Sequence, residues 1–211
     1  MEQELETLVN KYPELDSCVN EVKQAAGLLI SCYEQNGKLL LCGNGGSAAD
    51  CDHIVGELMK GFELQRPVDD EFREKLSEGH PEDGDYLANN LQQALPAISL
   101  SSQSPLLMAF ANDVATDMVF AQQVYGYGQK SDVLLGISTS GNSKNVVRAM
   151  KVAKTMGLTT IGMTGKNGGQ LKELCDVAIQ VPWERTLDIQ ERHLPIYHRL
   201  CIILENHFFK S

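Results

Sequence analysis

The stretch Leu39-Leu-Leu-Cys-Gly-Asn-Gly-Gly-Ser-Ala-Ala-Asp50 decides the fold. Four apolar residues lead into a glycine-rich turn, and the residues after the turn follow a helical pattern. Short apolar runs bounded by glycine or hydroxyl residues are typical of buried strands. The stretch therefore predicts a strand, a tight turn and a helix in succession, which is the repeating unit of a parallel α/β sheet.

Four further runs of the same kind lie along the chain, at residues 97–100, 133–137, 159–163 and 177–181. Segments of helical length separate most of the five runs. The pattern predicts an α/β fold, a doubly wound five-stranded parallel sheet flanked by helices on both faces.

Long helices are predicted at both ends of this sheet region. Apolar residues recur at helical spacing over residues 5–33, with an interruption near Pro13, and again over residues 187–209. Residues 66–93 are polar and acidic, and they predict a surface insertion that carries one short helix. Because neither flank is large enough for a separate core, we expect a single domain over residues 1–211.

Composition excludes several classes of protein. The formal charge of −10 would repel a phosphate backbone, so we expect no nucleic-acid partner and a local site for any anionic ligand. No apolar run has the length of a membrane span, and the amino-terminal residues lack a secretory pattern. The six cysteines are scattered without a regular spacing. These features predict a cytoplasmic protein without a membrane partner and with reduced thiols.

Two loops that follow predicted strands are suited to bind an anion. They are Gly43-Asn-Gly-Gly-Ser-Ala-Ala-Asp50 and Ser138-Thr-Ser-Gly-Asn-Ser143, and each runs directly into a helix. Ligands of open α/β sheets collect at the carboxyl ends of strands, where helix amino termini present free N–H groups. Glycines allow close approach of the backbone, and hydroxyls donate to phosphate oxygens.

Two other interpretations of these loops remain open. Loops of this composition are also ordinary turns between a strand and a helix. In addition, Gly43, Gly45 and Ala48 satisfy the spacing of a dinucleotide-binding fingerprint. That fingerprint needs an acidic residue about 20 positions later at the end of a second strand, whereas Glu63 at this distance follows a helix.

Ionisable residues form a second pattern. His53 and Glu57 are four residues apart on one face of the helix after the first loop, and Gln190, His193 and His198 lie near the other end of the chain. Such side chains suit Zn²⁺ or proton transfer near neutral pH. The alternative is an exposed helix pair and packed histidines.

The distance between Gln190 and His198 restricts a shared metal site. Along a straight helix they lie about 12 Å apart, so both reach one ion only if the helix is bent or begins after Gln190. Pro195 removes one helical hydrogen bond and provides a reason for a bend.

At these motifs the chain resembles the SIS-fold phosphoheptose isomerases. The stretches that carry the resemblance span most of the chain outside residues 66–93. They are Leu41-Cys-Gly-Asn-Gly-Gly-Ser47, Asp52-His53-x-x-x-Glu57-Leu58, Ala111-Asn-Asp113, Asp132-Val-Leu-Leu-Gly-Ile-Ser-Thr-Ser-Gly-Asn-Ser143, Thr164-Gly-Lys-Asn-Gly-Gly169 and Ile189-Gln-Glu-x-His193-x-x-x-x-His198.

The resemblance implies isomerisation of sedoheptulose 7-phosphate to heptose 7-phosphate through an enediol, in a homotetramer with interfacial sites. It implies Glu57 and His198 as the acid–base pair and one zinc ion per subunit, held by His53, Glu57, Gln190 and His198. The residues implied to bind the sugar phosphate are Asn44, Gly45, Gly46, Ser47, Asn112, Asp113, Ser138, Thr139, Ser140, Ser143 and Gln190.

The chain departs from the family pattern in two places. Lys60, Gly61 and Phe62 stand where an arginine is expected after the Glu57 helix, so Lys60 either replaces that cationic contact or the contact is absent. The 66–93 insertion is longer than the usual connection and could change the accepted sugar. The alternatives are isomerisation of another ketose phosphate and a non-catalytic SIS protein that binds sugar phosphates or associates with a replication initiator.

Overall fold

The computed structural model describes residues 1–210; Ser211, the last residue of the predicted domain, lies outside the described residues. Five parallel strands form one sheet in the order β2-β1-β3-β4-β5. The strands are β1 Leu39–Gly43, β2 Ala97–Ser99, β3 Val133–Ile137, β4 Thr159–Thr164 and β5 Val177–Gln180. The predicted doubly wound fold is confirmed.

The α-helices flank this sheet. They are α1 Glu2–Lys11, α2 Val19–Glu34, α3 Gly46–Met59, α4 Asp70–Gly79, α5 Gly84–Asn90, α6 Ser104–Phe110, α7 Val119–Tyr127, α8 Lys144–Met156, α9 Leu171–Leu174 and α10 Thr186–Phe209. Pro13 begins a 3₁₀ turn between α1 and α2, as expected for a residue that fits the first position of a helix. Within residues 1–210, no helix is both long and apolar enough to cross a membrane.

Alternate residues of the strands divide the core into two clusters. Leu39 and Leu41 of β1 face a cluster that includes α1, α2, α3 and α10. Leu40 and Cys42 face the opposite cluster, which includes α7 and α8. Because successive side chains of a strand point to opposite faces, continuous apolar runs are needed when both faces are covered.

The 66–93 segment contains two helices, α4 and α5, so the prediction of one short helix was wrong. Its two ends are held together by a bridge between Pro67 and Gln92 and by the Gln93 N–H, which donates to the Arg66 carbonyl. Neither helix is long, and α4 buries none of its residues. The weak apolar periodicity of the sequence therefore concealed a small helical hairpin that contributes little core.

Candidate active site

The two predicted anion-binding loops meet at the centre of the sheet. β1 and β3 are hydrogen-bonded neighbours, although β2 lies between them in the sequence. Helix α3 after β1 packs on one face of the sheet, whereas α8 after β3 packs on the other. Strand order reverses at this point, which is where open α/β sheets form a ligand-binding crevice.

The first loop brings the amino terminus of α3 to this crevice. Gly45 has a φ of 56°, and the first turn is closed by the Ser47 N–H, which donates to the Asn44 carbonyl at 3.1 Å. The Gln190 amide packs so closely on Gly46 that an added Cβ would lie 2.5 Å from Nε2. The Gln190 amide therefore contacts the first loop where α10 approaches it, and a larger residue at position 46 would have to displace this amide.

The second loop presents hydroxyl groups beside the first. Ser138 and Ser143 are joined through their hydroxyls at 3.0 Å, and Ser140 Oγ accepts from the Asn142 N–H at 3.2 Å. Gly141 has a φ of 66° and packs against the backbone of Gly168. Thr139 lies in the same loop, and its carbonyl accepts from the Gly165 N–H. The loop thus collects several hydroxyls on a tightly turned backbone.

A pair of amides joins the two loops across the crevice. Asn44 Nδ2 donates to Asn145 Oδ1 at 3.0 Å, and Asn145 Nδ2 donates back to Asn44 Oδ1 at 2.8 Å. Asn145 Oδ1 also accepts from the Val146 N–H in the first turn of α8. The sequence motifs did not indicate Asn145, because its partner lies 101 residues away.

His53, Glu57 and His198 form a cluster between α3 and α10. His53 Nε2 lies 3.3 Å from Glu57 Oε1 and 3.5 Å from His198 Nε2. The opposite carboxylate oxygen, Glu57 Oε2, accepts from Lys60 Nζ at 3.1 Å. The structure thus joins the two histidines, which are 145 residues apart in sequence, and places the Lys60 cation on the carboxylate.

The surroundings of His198 favour its neutral form. Partial burial lowers the pKa of His198, and the neighbouring His53 lowers it further, while Glu57 opposes both effects. The Phe62 ring lies 5.5 Å from the His198 ring, centre to centre. A neutral imidazole at pH 7 offers one donor and one acceptor nitrogen, as proton transfer or metal binding requires.

The donor atoms around His53 are spaced nearly as in a zinc site. Metal–donor distances of about 2.0–2.1 Å in a tetrahedron place neighbouring donors about 3.3–3.4 Å apart, close to the separations measured at His53. Across residues 1–210, however, no three His, Cys, Asp or Glu side chains form a group that could hold a metal as they stand. To bind a zinc ion, Glu57 and His198 would have to move until their donor atoms and that of His53 surround one centre.

Gln190 and His193 lie apart from this cluster. Helix α10 continues through Pro195 from Thr186 to Phe209, so Gln190 lies about 12 Å from His198 along it and contacts the first loop instead. His193 is fully buried, with Nε2 3.3 Å from the Thr164 carbonyl and no partner for Nδ1 among the described residues. Burial lowers the pKa of His193 to about 4. His193 is therefore a neutral packing residue.

Asn112 and Asp113 lie on a π-helical turn, Ala111–Ala115, that follows α6. Both are exposed, and Asn112 Nδ2 donates to Asp113 Oδ1 at 2.8 Å. Within the described chain, neither side chain hydrogen-bonds to the two loops. Turns of this type are frequent at functional sites, and here it leaves both side chains open to a ligand.

A buried ion pair supports the cluster and was not indicated by the sequence motifs. Arg66 donates to Glu205 and to the carbonyls of Leu58 and Glu57 at the end of α3. Glu205 also accepts from the N–H groups of residues 62–64. Burial raises the pKa of Glu205, but these hydrogen bonds and Arg66 outweigh burial and hold it below its usual value.

This ion pair also bears on the dinucleotide-binding alternative. Glu63, at the spacing that the fingerprint requires, lies in the turn fixed by Glu205, and the second strand begins only at Ala97. Glu63 is therefore not at the end of a strand, where it would meet a ribose.

The chain is similar to known proteins over most of its length. The SIS domain family matches residues 12–82 and 84–165. A phosphoheptose isomerase of Helicobacter pylori (strain P12) is 42% identical over 194 residues, which is 92% of this chain and 88% of the relative.

Two solved structures are also similar. A phosphoheptose isomerase from Neisseria gonorrhoeae is 34% identical with a TM-score of 0.73, covering 94% of this chain and 93% of its own. One from Francisella tularensis is 31% identical with a TM-score of 0.77, covering 95% of this chain and 94% of its own.

Proposed function

Since the chain belongs to the phosphoheptose isomerase family of SIS-domain proteins, we propose that it interconverts sedoheptulose 7-phosphate and heptose 7-phosphate. One observation carries the proposal: His53 and Glu57, on the helix that begins in the first anion-binding loop, meet His198 from α10. This places acid–base groups beside a site suited to a sugar phosphate.

The reaction moves two hydrogens and leaves the phosphate unchanged. A base removes a proton from C1 of the ketose while the C2 oxygen gains a proton, which gives a 1,2-enediol. Loss of the proton on O1 and protonation of C2 then give the aldose. The protein must supply a base near carbon, an acid near oxygen and stabilisation for the developing oxyanion.

Glu57 is suited to be the base. Its Oε1 faces His53, its Oε2 accepts from Lys60, and its side chain is only 14% exposed. Its backbone is fixed because the end of α3 is bound by Arg66. His198 lies across His53 and is suited to donate or accept a proton at a substrate oxygen.

The loops are suited to hold the phosphate. Ser138, Ser140 and Ser143 provide hydroxyl donors, and the amino terminus of α3 adds the positive end of its helix dipole. We assign Thr139 and the first-loop residues to the same task and place Asn112, Asp113 and Gln190 along the sugar.

The proposal is tested by replacing Glu57 with Gln. The variant keeps the shape of the side chain but cannot remove a proton, so turnover should fall by about 10²–10⁴-fold, with binding of inorganic phosphate little changed. Exchange of substrate hydrogen with deuterated water measures the proton transfer directly. Glu63→Gln, on an exposed side chain beyond the same helix, is the matched control.

Two results would contradict the proposal. If the Glu57→Gln protein exchanges and isomerises at the wild-type rate, Glu57 is not the base. If the wild-type protein binds heptose phosphates without ever exchanging a proton, it is a sensor of these sugars. A panel of five- to seven-carbon ketose phosphates, with products identified by NMR, decides which sugar is converted.

A zinc ion belongs to the proposal as well. His53, Glu57 and His198 would hold it, which the donor separations of 3.3 and 3.5 Å support, and Gln190 would join only after a change of position. Bound zinc would polarise the substrate carbonyl. His198 Nε2 cannot bind zinc and donate a proton together, so metal content decides its role. Elemental analysis finding no metal in protein that stays fully active with chelator would remove zinc.

We further propose a homotetramer, working in the cytoplasm in heptose biosynthesis. Large apolar side chains around α6 and α7 are exposed, among them Met108 at 73%, Val114 at 67% and Tyr125 at 71%, which supports burial against other copies. The six cysteines are free, as in a reducing compartment. A compact monomer in light scattering at micromolar concentration would contradict the assembly.

A further inference from the structure

Behind His53, on the side away from Glu57, lies a chain of hydrogen bonds to two residues outside the proposed set of ligands. His53 Nδ1 lies 3.1 Å from the Tyr197 hydroxyl, and this hydroxyl donates to Asp50 Oδ1 at 3.1 Å. Tyr197 is 1% exposed. Asp50 is three residues before His53 on α3, whereas Tyr197 arrives from α10.

The direction of this chain follows from the number of protons available. An ionised carboxylate only accepts hydrogen bonds, and a tyrosine hydroxyl has a single proton. Because Tyr197 donates that proton to Asp50, its oxygen is left to accept from His53. His53 must then carry a hydrogen on Nδ1.

The opposite nitrogen of His53 is affected in turn. A neutral imidazole has one hydrogen, so Nε2 keeps a lone pair directed toward Glu57 Oε1 and His198 Nε2. Glu57 competes by attracting a hydrogen to Nε2, but that contact of 3.3 Å is an ion-pair separation, whereas Nδ1 and the hydroxyl are in hydrogen-bond geometry at 3.1 Å.

We infer that Asp50 and Tyr197 are positioning residues, which hold His53 in the tautomer with hydrogen on Nδ1 and direct its Nε2 lone pair at the centre of the cluster. The further step, that this lone pair binds zinc, rests on the proposed function. Partners of this kind orient a metal-binding histidine, and their loss costs about 10–100-fold in metal affinity.

Nitrogen NMR of metal-free protein tests the tautomer directly. With ¹⁵N-labelled histidine at a pH that leaves the imidazoles neutral, the wild-type His53 should show a protonated Nδ1 and an unprotonated Nε2; loss of its signals in His53→Gln assigns them. Tyr197→Phe removes only the hydroxyl and should move the hydrogen to Nε2, beside Glu57. Tyr33→Phe is the matched control, because Tyr33 donates to the Pro96 carbonyl away from the site.

Asp50→Asn tests the direction of the chain with the tyrosine in place. An amide can donate as well as accept, so the amide side chain of this variant would allow the hydrogen bonds to run in reverse and put the hydrogen on Nε2. The fraction of that tautomer should rise, with the thermal unfolding midpoint close to wild type. This variant keeps the test valid if Tyr197→Phe folds poorly.

Zinc competition with a chromophoric chelator measures the consequence. Tyr197→Phe should weaken zinc binding about 10–100-fold and Tyr33→Phe should leave it unchanged. The inference is overturned if the wild-type His53 carries its hydrogen on Nε2. It is also overturned if Tyr197→Phe and Asp50→Asn both keep the wild-type tautomer. Equal zinc affinity in Tyr197→Phe and wild type would overturn the metal role of the two residues. Failure of the proposed function is a different result: the wild-type protein would keep the expected His53 tautomer but would not exchange substrate hydrogen with deuterated water.

Discussion

The two halves of the site are built in different ways. The anion-binding loops are made from short continuous stretches, and their shape depends on glycines with positive φ and on hydrogen bonds between near neighbours. The cluster of His53, Glu57 and His198 is made from two helices far apart in sequence. Its shape depends on buried side chains, above all Arg66, Tyr197 and Glu205.

This difference predicts how each half fails. Damage to a loop should weaken binding of the phosphate, because the loop backbone is the proposed binding surface. Damage to the buried supports should leave that surface intact and misplace the groups that we propose to move protons. Inorganic phosphate as an inhibitor reports on the loops, and deuterium exchange reports on the cluster.

The largest effect is expected from Arg66→Met. It leaves the Glu205 carboxylate buried without its cation and removes the donors to the end of α3. Breaking a buried ion pair costs about 3–5 kcal/mol of unfolding free energy. Deuterium exchange should fall sharply, because Phe62 and Glu57 lose their fixed positions, while inhibition by phosphate should change little.

Lys75→Met is the control for Arg66→Met. The side chains of Lys75 and Glu71, which form an ion pair, are 67% and 78% exposed. The unfolding free energy measured in urea should therefore change by about 0.5 kcal/mol or less. An equal loss of phosphate inhibition and exchange in Arg66→Met would show that the two halves are not separable.

His193, a packing residue outside both halves, should make the stability of the fold sensitive to acid. Its pKa is about 4 in the folded protein against 6.5 in the unfolded chain, so the unfolded chain binds the extra proton first as the pH falls. Stability from this residue is therefore complete above about pH 6.5 and is lost progressively toward pH 4, by about 3 kcal/mol in all. Urea unfolding across that range measures it.

His193→Gln is the comparison for this pH dependence. Glutamine can still donate to the Thr164 carbonyl but does not titrate, so the slope of unfolding free energy between pH 6.5 and pH 4 should decrease in the variant. Equal slopes in both proteins would show that His193 is not the acid-sensitive group.

The sequence predicted the two halves unequally well, for a physical reason. Strand runs, glycine turns and hydroxyl loops are local patterns, and their prediction from residues 39–50 and 138–143 needed no tertiary information. The grouping of His53 with His198 was suggested by their residue types and by family resemblance, and no local pattern predicted their contact. The roles of Arg66, Glu205 and Tyr197 had no local signal, because each depends on which residue another helix brings opposite it.

Two glycine replacements separate the effect of a positive φ from that of a close contact in the loops. Gly141→Ala combines a φ of 66° with a Cβ that would overlap the Gly168 carbonyl oxygen, so the loop must shift, at about 2–3 kcal/mol of unfolding free energy. Gly45→Ala has a similar φ of 56° but open space around the added carbon, and about 1–2 kcal/mol is expected. Urea unfolding compares them, and equal losses would contradict a role for the Gly168 contact.

The smallest effect on the fold is expected from Ser140→Ala, which removes one hydroxyl and leaves the loop backbone in place. Asn142 loses one acceptor for its N–H but keeps the Ser140 carbonyl as partner for its side chain. The lost donor should weaken inhibition by inorganic phosphate by about 0.5–3 kcal/mol, the upper end applying to a charged acceptor, which is about 150-fold at most. Ser17→Ala, on an exposed turn far from the site, should not change this inhibition.

Because Ser140 touches none of the three cluster residues, deuterium exchange at saturating substrate should stay at the wild-type rate in Ser140→Ala. A fall in that rate at unchanged phosphate inhibition would place Ser140 with the cluster and remove the distinction between the halves.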